Sequence, residues 1–350
     1  MVDRICTIGP ASYNRERLTE LMDHGMTVIR LNLSHGTYES HNQIVQTVRS
    51  INTNIQILGD LQGPKIRLGN FSENNITLHE EDIFLLTTDE VIGDKNRGSV
   101  DYKGLVDDIQ IGSHILINDG EVELTVTDID ASTIKTIVKV GGIISSRKGV
   151  NVPGTTLSLP AITEKDKQDI QFLVDLKADY IACSFIRKAS NIEDISEFIK
   201  KITPHPPKLM AKIETLEAIH DFLNICKKSD AIMIARGDLG VELPYQWIPF
   251  LQKAMIHECN KVNKYVVTAT QMLQSMTEHA VPTRAEVTDI FQAVLDGTDA
   301  VMLSAESASG HFPIESTETL TIVSQFADIA RKYNPYDFTD MLRLIHNEIE

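Results

Sequence analysis

Eight short apolar runs recur along these 350 residues and constrain the fold more than any other feature. They are Ile5–Gly9, Thr27–Leu33, Gln56–Leu61, Tyr180–Phe185, Lys208–Ile213, Ala231–Ala235, Tyr265–Thr270 and Ala300–Leu303. Stretches such as Ile232-Met233-Ile234-Ala235 and Val301-Met302-Leu303-Ser304 lack polar alternation, as strands covered on both faces require. Most runs lead into a helical stretch. Pro282 opens one through Leu295 before Gly297, and Pro313 opens the last long one toward Lys332. An open doubly wound sheet would show similar runs, but eight β/α units count for a (β/α)8 TIM barrel in the α/β class.

The rhythm fails between Gly69 and Gly149. There the pattern alternates, as in His114-Ile115-Leu116-Ile117-Asn118-Asp119-Gly120-Glu121-Val122-Glu123-Leu124, with Asp119-Gly120 reading as a hairpin turn. A small β-barrel lid inserted after the third strand is expected at 69–149, between barrel parts 1–68 and 150–334, with a short C-terminal tail at 335–350. An insertion at that point hangs from the C-terminal face, where barrel enzymes keep their active sites, and suits a water-excluding lid.

The net charge of −16 argues against non-specific nucleic-acid binding. No stretch approaches the roughly 18 uninterrupted apolar residues of a membrane span. The start Met1-Val2-Asp3-Arg4-Ile5 has no basic segment leading into an apolar one, so the expected address is cytoplasmic. Cys6, Cys183, Cys226 and Cys259 are far apart and form no CxxC pair, which favours buried thiols over a zinc knuckle or a disulfide scaffold.

Each candidate residue lies where a run ends. Arg30, Asn32 and Ser34 alternate and so share one strand face, converging on a ligand or facing solvent. Lys212 and Glu214 also sit two apart, as an ion pair or as a cation and a hard oxygen ligand. In Arg236-Gly237-Asp238-Leu239-Gly240, Gly237 permits close backbone approach to an anion and Asp238 offers a second carboxylate for Mg²⁺, although Gly-Asp pairs are also common turn formers. Thr270 is a hydrogen-bond donor, a proton relay or strand filler. One cation and two carboxylates together suit phosphoryl transfer, which depends on neutralising charge around a phosphate.

These segments, with Cys6-Thr7-Ile8-Gly9-Pro10, Gly63-Pro64-Lys65-Ile66-Arg67, Lys148-Gly149-Val150-Asn151, Ser184-Phe185-Ile186-Arg187 and Ala269-Thr270-Gln271-Met272-Leu273, resemble the pyruvate kinases in type and order. The resemblance implies a cleft between barrel and lid for phosphoenolpyruvate, ADP and a divalent metal, Mg²⁺ or Mn²⁺, yielding pyruvate and ATP. It implies Glu214 and Asp238 as metal carboxylates and Lys212 as the cation on the phosphoryl group. Gly237, Asp238, Thr270 and Ser184, with Arg30, fall to the substrate, and Thr270 to the proton path. Asn32, His35, Arg67 and Lys148 fall to the nucleotide.

Three departures stand out. Members that require K⁺ resemble one another in a threonine and an acidic residue where this chain has Leu61 and Lys65. The Lys65 ammonium is expected to replace K⁺, leaving Asn32, Ser34 and Asp60 as scaffold rather than a filled monovalent-cation site. Ala305 and Ser307 stand where the family usually has glycine and threonine. The usual C-terminal domain does not follow, which implies no sugar-phosphate allostery, while contacts near Pro282–Glu286 remain for a homodimer. Two alternatives compete: a weakly catalytic regulatory relative that binds phosphoenolpyruvate or nucleotide, and a Mg²⁺-dependent lyase-type barrel, which would need no nucleotide lid.

Overall fold

The computed structural model describes residues 2–333 and 338–348. Its first strands are β1 (Asp3–Thr7), β2 (Val28–Asn32) and β3 (Gln56–Asp60). The inserted strands are β4 (Ile66–Arg67), β5 (Ile76–Leu78), β6 (Ile83–Thr87), β7 (Arg97–Ser99), β8 (His114–Ile117), β9 (Val122–Ile129), β10 (Thr133–Val140), β11 (Gly142–Ile144) and β12 (Gly149–Asn151). The last five are β13 (Tyr180–Cys183), β14 (Lys208–Ile213), β15 (Ala231–Ala235), β16 (Tyr265–Ala269) and β17 (Ala300–Leu303).

Strands β1–β3 and β13–β17 pair in parallel and close into one barrel in the order β1-β17-β16-β15-β14-β13-β3-β2. The first run starts two residues earlier than expected, at Asp3, because Asp3 to Cys6 pair with Ala300 to Leu303 while Ile8 and Gly9 already turn away. Strand β13 pairs directly with β3, Ala182 opposite Asp60, so the insertion leaves the barrel unbroken.

Side-chain parity then decides what lies where. Ile5, Val28, Leu58, Tyr180, Met210, Met233, Val267 and Met302 fill the barrel interior. Their immediate neighbours along each strand, such as Ile29, Ile57, Ile181 and Ile232, pack outward against the helices. Two residues further along the interior rows come Arg30, Asp60 and Lys212, so alternation delivers charged groups to the C-terminal end of the same packed column.

The insertion forms a seven-stranded sheet, β4-β12-β8-β9-β10-β6-β7, with its own apolar cluster around Phe84, Ile115, Leu124 and Val138. Its edge strands meet: Leu68 bridges Val100, Gly69 N–H donates to Ser99 C=O at 2.7 Å and Asp101 N–H to Arg67 C=O at 3.1 Å. The sheet takes in Ile66–Arg67 and Asn151, reaching past the expected 69–149 because Ile66 and Val150 are paired and buried in it. At the expected hairpin, Asn118 and Asp119 adopt φ of 54° and 55°, and β8 and β9 pair on either side.

Thr283 caps a helix over Arg284–Asp296, with Pro282 just outside it, and Gly297 closes it at φ 105°. The last long helix runs Pro313–Ala330. The expected tail holds a further helix, Phe338–Glu348, whereas its residues 335–337 and 349–350 lie outside those described. No described helix is long and apolar enough to cross a membrane.

Candidate active site

Lys212 is the centre of a buried cluster. Its Nζ lies 2.7 Å from Ser184 Oγ, 3.2 Å from Asp60 Oδ1 and 3.0 Å from Glu214 Oε1. Arg30 donates from Nε to Asp60 Oδ2 at 2.7 Å and from Nη1 to Thr7 Oγ1 at 2.9 Å. Lys212 and Arg30 are each 9% exposed, Glu214 and Asp60 1%, and Ser184 4%. Long side chains held this way have little rotamer freedom left to lose when a ligand arrives.

Burial alone would raise the Asp60 carboxyl, but Lys212 and Arg30 outweigh it and hold the group below the usual aspartate range. Lys212 shows the mirror image: burial works against its charge, and Asp60 and Glu214 more than restore it. Glu214 is pushed upward, first by burial and then by the like charge of Asp238, against the pull of Lys212 and of the Phe185 N–H, which donates to Oε2 at 2.7 Å. Glu214 Oε1 is buried and accepts no hydrogen bond, although the Lys212 ammonium is within ion-pair distance.

Asp238 faces this cluster from the helix Arg236–Glu242 that follows β15. Its partner is Lys65, whose Nζ lies 2.7 Å from Asp238 Oδ1, 3.4 Å from Asp119 Oδ1 on the lid hairpin and 5.6 Å from the Phe185 ring centre. Lys65 therefore sits on Asp238 and not on Asp60, whose oxygens are taken by Arg30, Lys212 and Ser184. Asn32 Oδ1 accepts from the Ser34 N–H at 3.1 Å, and Ser34 lies beyond the end of β2. The strand-face triplet is thus divided: Arg30 joins Lys212, while Asn32, with His35, lines a neighbouring pocket of about 680 Å³ together with Pro10, Tyr13, Ile44 and Ala308.

Thr270 follows β16 with φ +68°, and Gln271 with +55°. Its Oγ1 accepts from the Gly237 N–H at 2.7 Å and donates to Ala269 C=O at 2.6 Å. A Cβ built on Gly237 would meet nothing closer than Thr270 Oγ1 at 3.5 Å, so no protein atom requires glycine there. Arg67 on β4 and Lys148 just before β12 come together, the Leu68 N–H donating to Lys148 C=O at 2.9 Å, and the buried Arg67 Nε has no hydrogen-bond partner. Neither is recorded in contact with the Lys212 cluster. Ala305 lies in a short helical turn without positive φ, and the neighbouring Ser307 Oγ donates to Thr7 C=O at 2.9 Å.

The carboxylates test whether this site suits a divalent cation. Among the described residues no three His, Cys, Asp or Glu side chains gather into a ready-made metal cage. A magnesium ion needs no such cage, because it commonly takes one or two carboxylates and completes its shell with substrate oxygens and water. Glu214 Oε1, faced by the Lys212 ammonium at 3.0 Å but otherwise without a hydrogen-bond partner, and the repulsion between Glu214 and Asp238 fit that requirement. Glu214 and Asp238 are the residues that would hold it.

Two groups escaped the sequence reading as site residues: the Phe185 N–H, presented by a residue at φ 56°, and the Arg236 side chain. Arg236 stood in the Arg-Gly-Asp run, but its partners come from distant segments.

The fold and the site define an α/β barrel with buried cations and hard carboxylates at its C-terminal end. A family model described as "Pyruvate kinase, barrel domain" matches residues 2–317. A pyruvate kinase of Bacillus licheniformis is 44% identical over 322 residues, covering 90% of this chain and 55% of that protein. One of Staphylococcus haemolyticus is 41% identical over 351 residues, covering 99% and 60%. The crystal structure of a pyruvate kinase from Cryptosporidium parvum superposes with a TM-score of 0.90 at 38% identity, over all of this chain and 72% of that one. The chain belongs to the pyruvate kinase family, and it spans 55–60% of the length of these two curated relatives.

Proposed function

We propose that this chain transfers the phosphoryl group of phosphoenolpyruvate to ADP, giving pyruvate and ATP. The observation that carries the reading is the Lys212 cluster: a largely buried, preformed cation flanked by Arg30 and opposed by Glu214 and Asp238. Three cations, Arg30, Lys212 and Lys65, are matched here by three carboxylates, Asp60, Glu214 and Asp238. A phosphate ester entering so balanced a site brings uncompensated negative charge, which argues for a divalent cation entering with it. Mg²⁺ or Mn²⁺ on Glu214 and Asp238 would supply that charge. In the reaction the phosphorus–oxygen bond to enolpyruvate breaks, one to a terminal ADP oxygen forms, and the enol carbon takes a proton.

Arg30 and Lys212 hold the transferring phosphoryl oxygens, and Lys212 stabilises their charge without reorganising. Ser184 orients Lys212 and lies at the edge of the substrate site. The backbone at Gly237 and Asp238, with Thr270, cradles the substrate carboxylate, and Thr270 belongs to the proton path. ADP takes the pocket at Asn32 and His35, its phosphates meeting Arg67 on the strand that leads into the lid body at 69–149 and Lys148 at its return. Lys65, already on Asp238, supports activity without K⁺. Barrel contacts near Pro282–Glu286 suit a homodimer, and a cytoplasmic setting agrees with the chemistry.

The test is pyruvate formation from phosphoenolpyruvate and ADP with Mg²⁺, with K⁺ present or replaced by a bulky organic cation, for the protein and for Lys212→Met. Activity without K⁺ that disappears in the variant supports the reading. Ligand binding without turnover moves it to the regulatory relative.

A further inference from the structure

The Arg236 side chain is only 10% exposed and has no place in the proposed chemistry, yet it is among the most heavily bonded in the molecule. Its Nη2 donates to Thr270 C=O at 2.7 Å and lies 2.8 Å from Met272 Sδ. Its Nε donates to Ala269 C=O at 3.3 Å. Its Nη1 donates to Asp289 Oδ1 at 2.7 Å and to Gln252 Oε1 at 3.1 Å. Asp289 belongs to the helix Arg284–Asp296 and Gln252 to the helix Ile248–Lys261, so one guanidinium ties two strand ends to two helices.

What it clasps is strained. Thr270 is β-branched and sits at φ +68°, followed by Gln271 at +55°, conformations that persist only where the surroundings hold them. That turn is what aims Thr270 Oγ1 at the Gly237 N–H. A lysine in place of Arg236 would keep the charge opposite Asp289 but lose the planar fork that reaches both carbonyls.

We propose that Arg236 is a positioning residue, which holds the left-handed Thr270–Gln271 turn and thereby sets Thr270 Oγ1 against Gly237 at the substrate end of the site. It acts through Thr270. The inference rests on the pyruvate kinase reading for what Thr270 touches, but the geometry it concerns exists in the ligand-free protein.

The experiment has two arms on the full chain. In the first, amide hydrogen exchange by NMR follows the Gly237 N–H in the parent protein, Arg236→Lys and the milder Asp289→Asn. The expectation is about tenfold faster exchange in Arg236→Lys, the equivalent of one hydrogen bond lost, a smaller change in Asp289→Asn, and unchanged exchange in β1–β3. Unchanged Gly237 exchange in both folded variants overturns the proposal. In the second arm, kinetics with phosphoenolpyruvate, ADP and Mg²⁺ compare Arg236→Lys, Thr270→Ala and the double variant. The expectation is that Arg236→Lys raises KM for phosphoenolpyruvate about tenfold with KM for ADP within about twofold, and costs nothing further once Thr270 is alanine. Equal effects on both substrates, or full additivity, overturn it. If the parent protein makes no pyruvate, the proposed function falls, while the exchange arm still decides the role of Arg236.

Discussion

The two halves of the site are built to different standards. On the barrel-interior side, Lys212, Asp60, Arg30, Ser184 and Glu214 are buried and interlocked at 2.7–3.3 Å. On the lid side, Asp238 is 27% exposed, and its ion-pair partner Lys65 also reaches Asp119, itself 74% exposed. The difference follows from position: the first group continues the packed interior column of the barrel, and the second bridges two separately packed bodies. A rigid half that is set in advance and a looser half that completes the site would suit the proposed phosphoryl transfer, in which a cleft admits two substrates and then excludes water.

The comparison breaks first at Lys212. Lys212→Met should lower pyruvate formation by at least about 100-fold, on the scale of removing one preorganised charge-stabilising donor. Because it strands Asp60 and Glu214 in the interior, it should also cost about 3–5 kcal/mol of stability. Steady-state kinetics and the urea midpoint check the two effects. A variant that loses activity with an unmoved midpoint would show that the rigid half is not rigid.

Lys65→Ala addresses the looser half. Its stability should change by less than about 1 kcal/mol, since one pair involves a partly exposed and the other a mostly exposed carboxylate. Its activity without K⁺ should fall about tenfold and recover in part on adding K⁺, read by titrating KCl against an organic salt at constant ionic strength.

Proton linkage separates the halves again. Asp60 is held below its ordinary pKa, so its contribution to stability is present above about pH 3.9 and is lost as pH falls through its depressed value. Glu214 is held above its ordinary value, so protons should compete with a bound cation at milder acidity. Mn²⁺ affinity, followed by electron paramagnetic resonance, should therefore weaken before the fold does as pH falls. Simultaneous loss of both would sink the distinction. The smallest effect is expected from Ala305→Gly: without positive φ to relieve, activity should stay within about twofold, and stability should drop by no more than about 1 kcal/mol.

Much of the barrel was legible in the chain because strands buried on both faces must read as apolar runs, and Lys208–Ile213, Ala231–Ala235 and Ala300–Leu303 are found at the expected bounds. The helix Phe338–Glu348 was passed over as tail, although Phe338, Met341, Leu342 and Ile345 are spaced as one helical face. Lys212 and Glu214 could be singled out because position at a strand end is a local property. The pairing of Lys65 with Asp238, 173 residues apart, and the clasp of Arg236 on Gln252, Thr270 and Asp289 depend on how the units close around the barrel, which no local pattern encodes.

The chain enters and leaves the lid on neighbouring antiparallel strands, Arg67 opposite Gly149 and Ile66 opposite Val150. To the barrel, everything from Leu68 to Lys148 is therefore a hairpin loop whose ends already touch, and lengthening a loop adds only logarithmically to its closure entropy. The lid is in that sense a cassette joined to the barrel at one two-stranded stem, beside which β3 and β13 pair directly with each other.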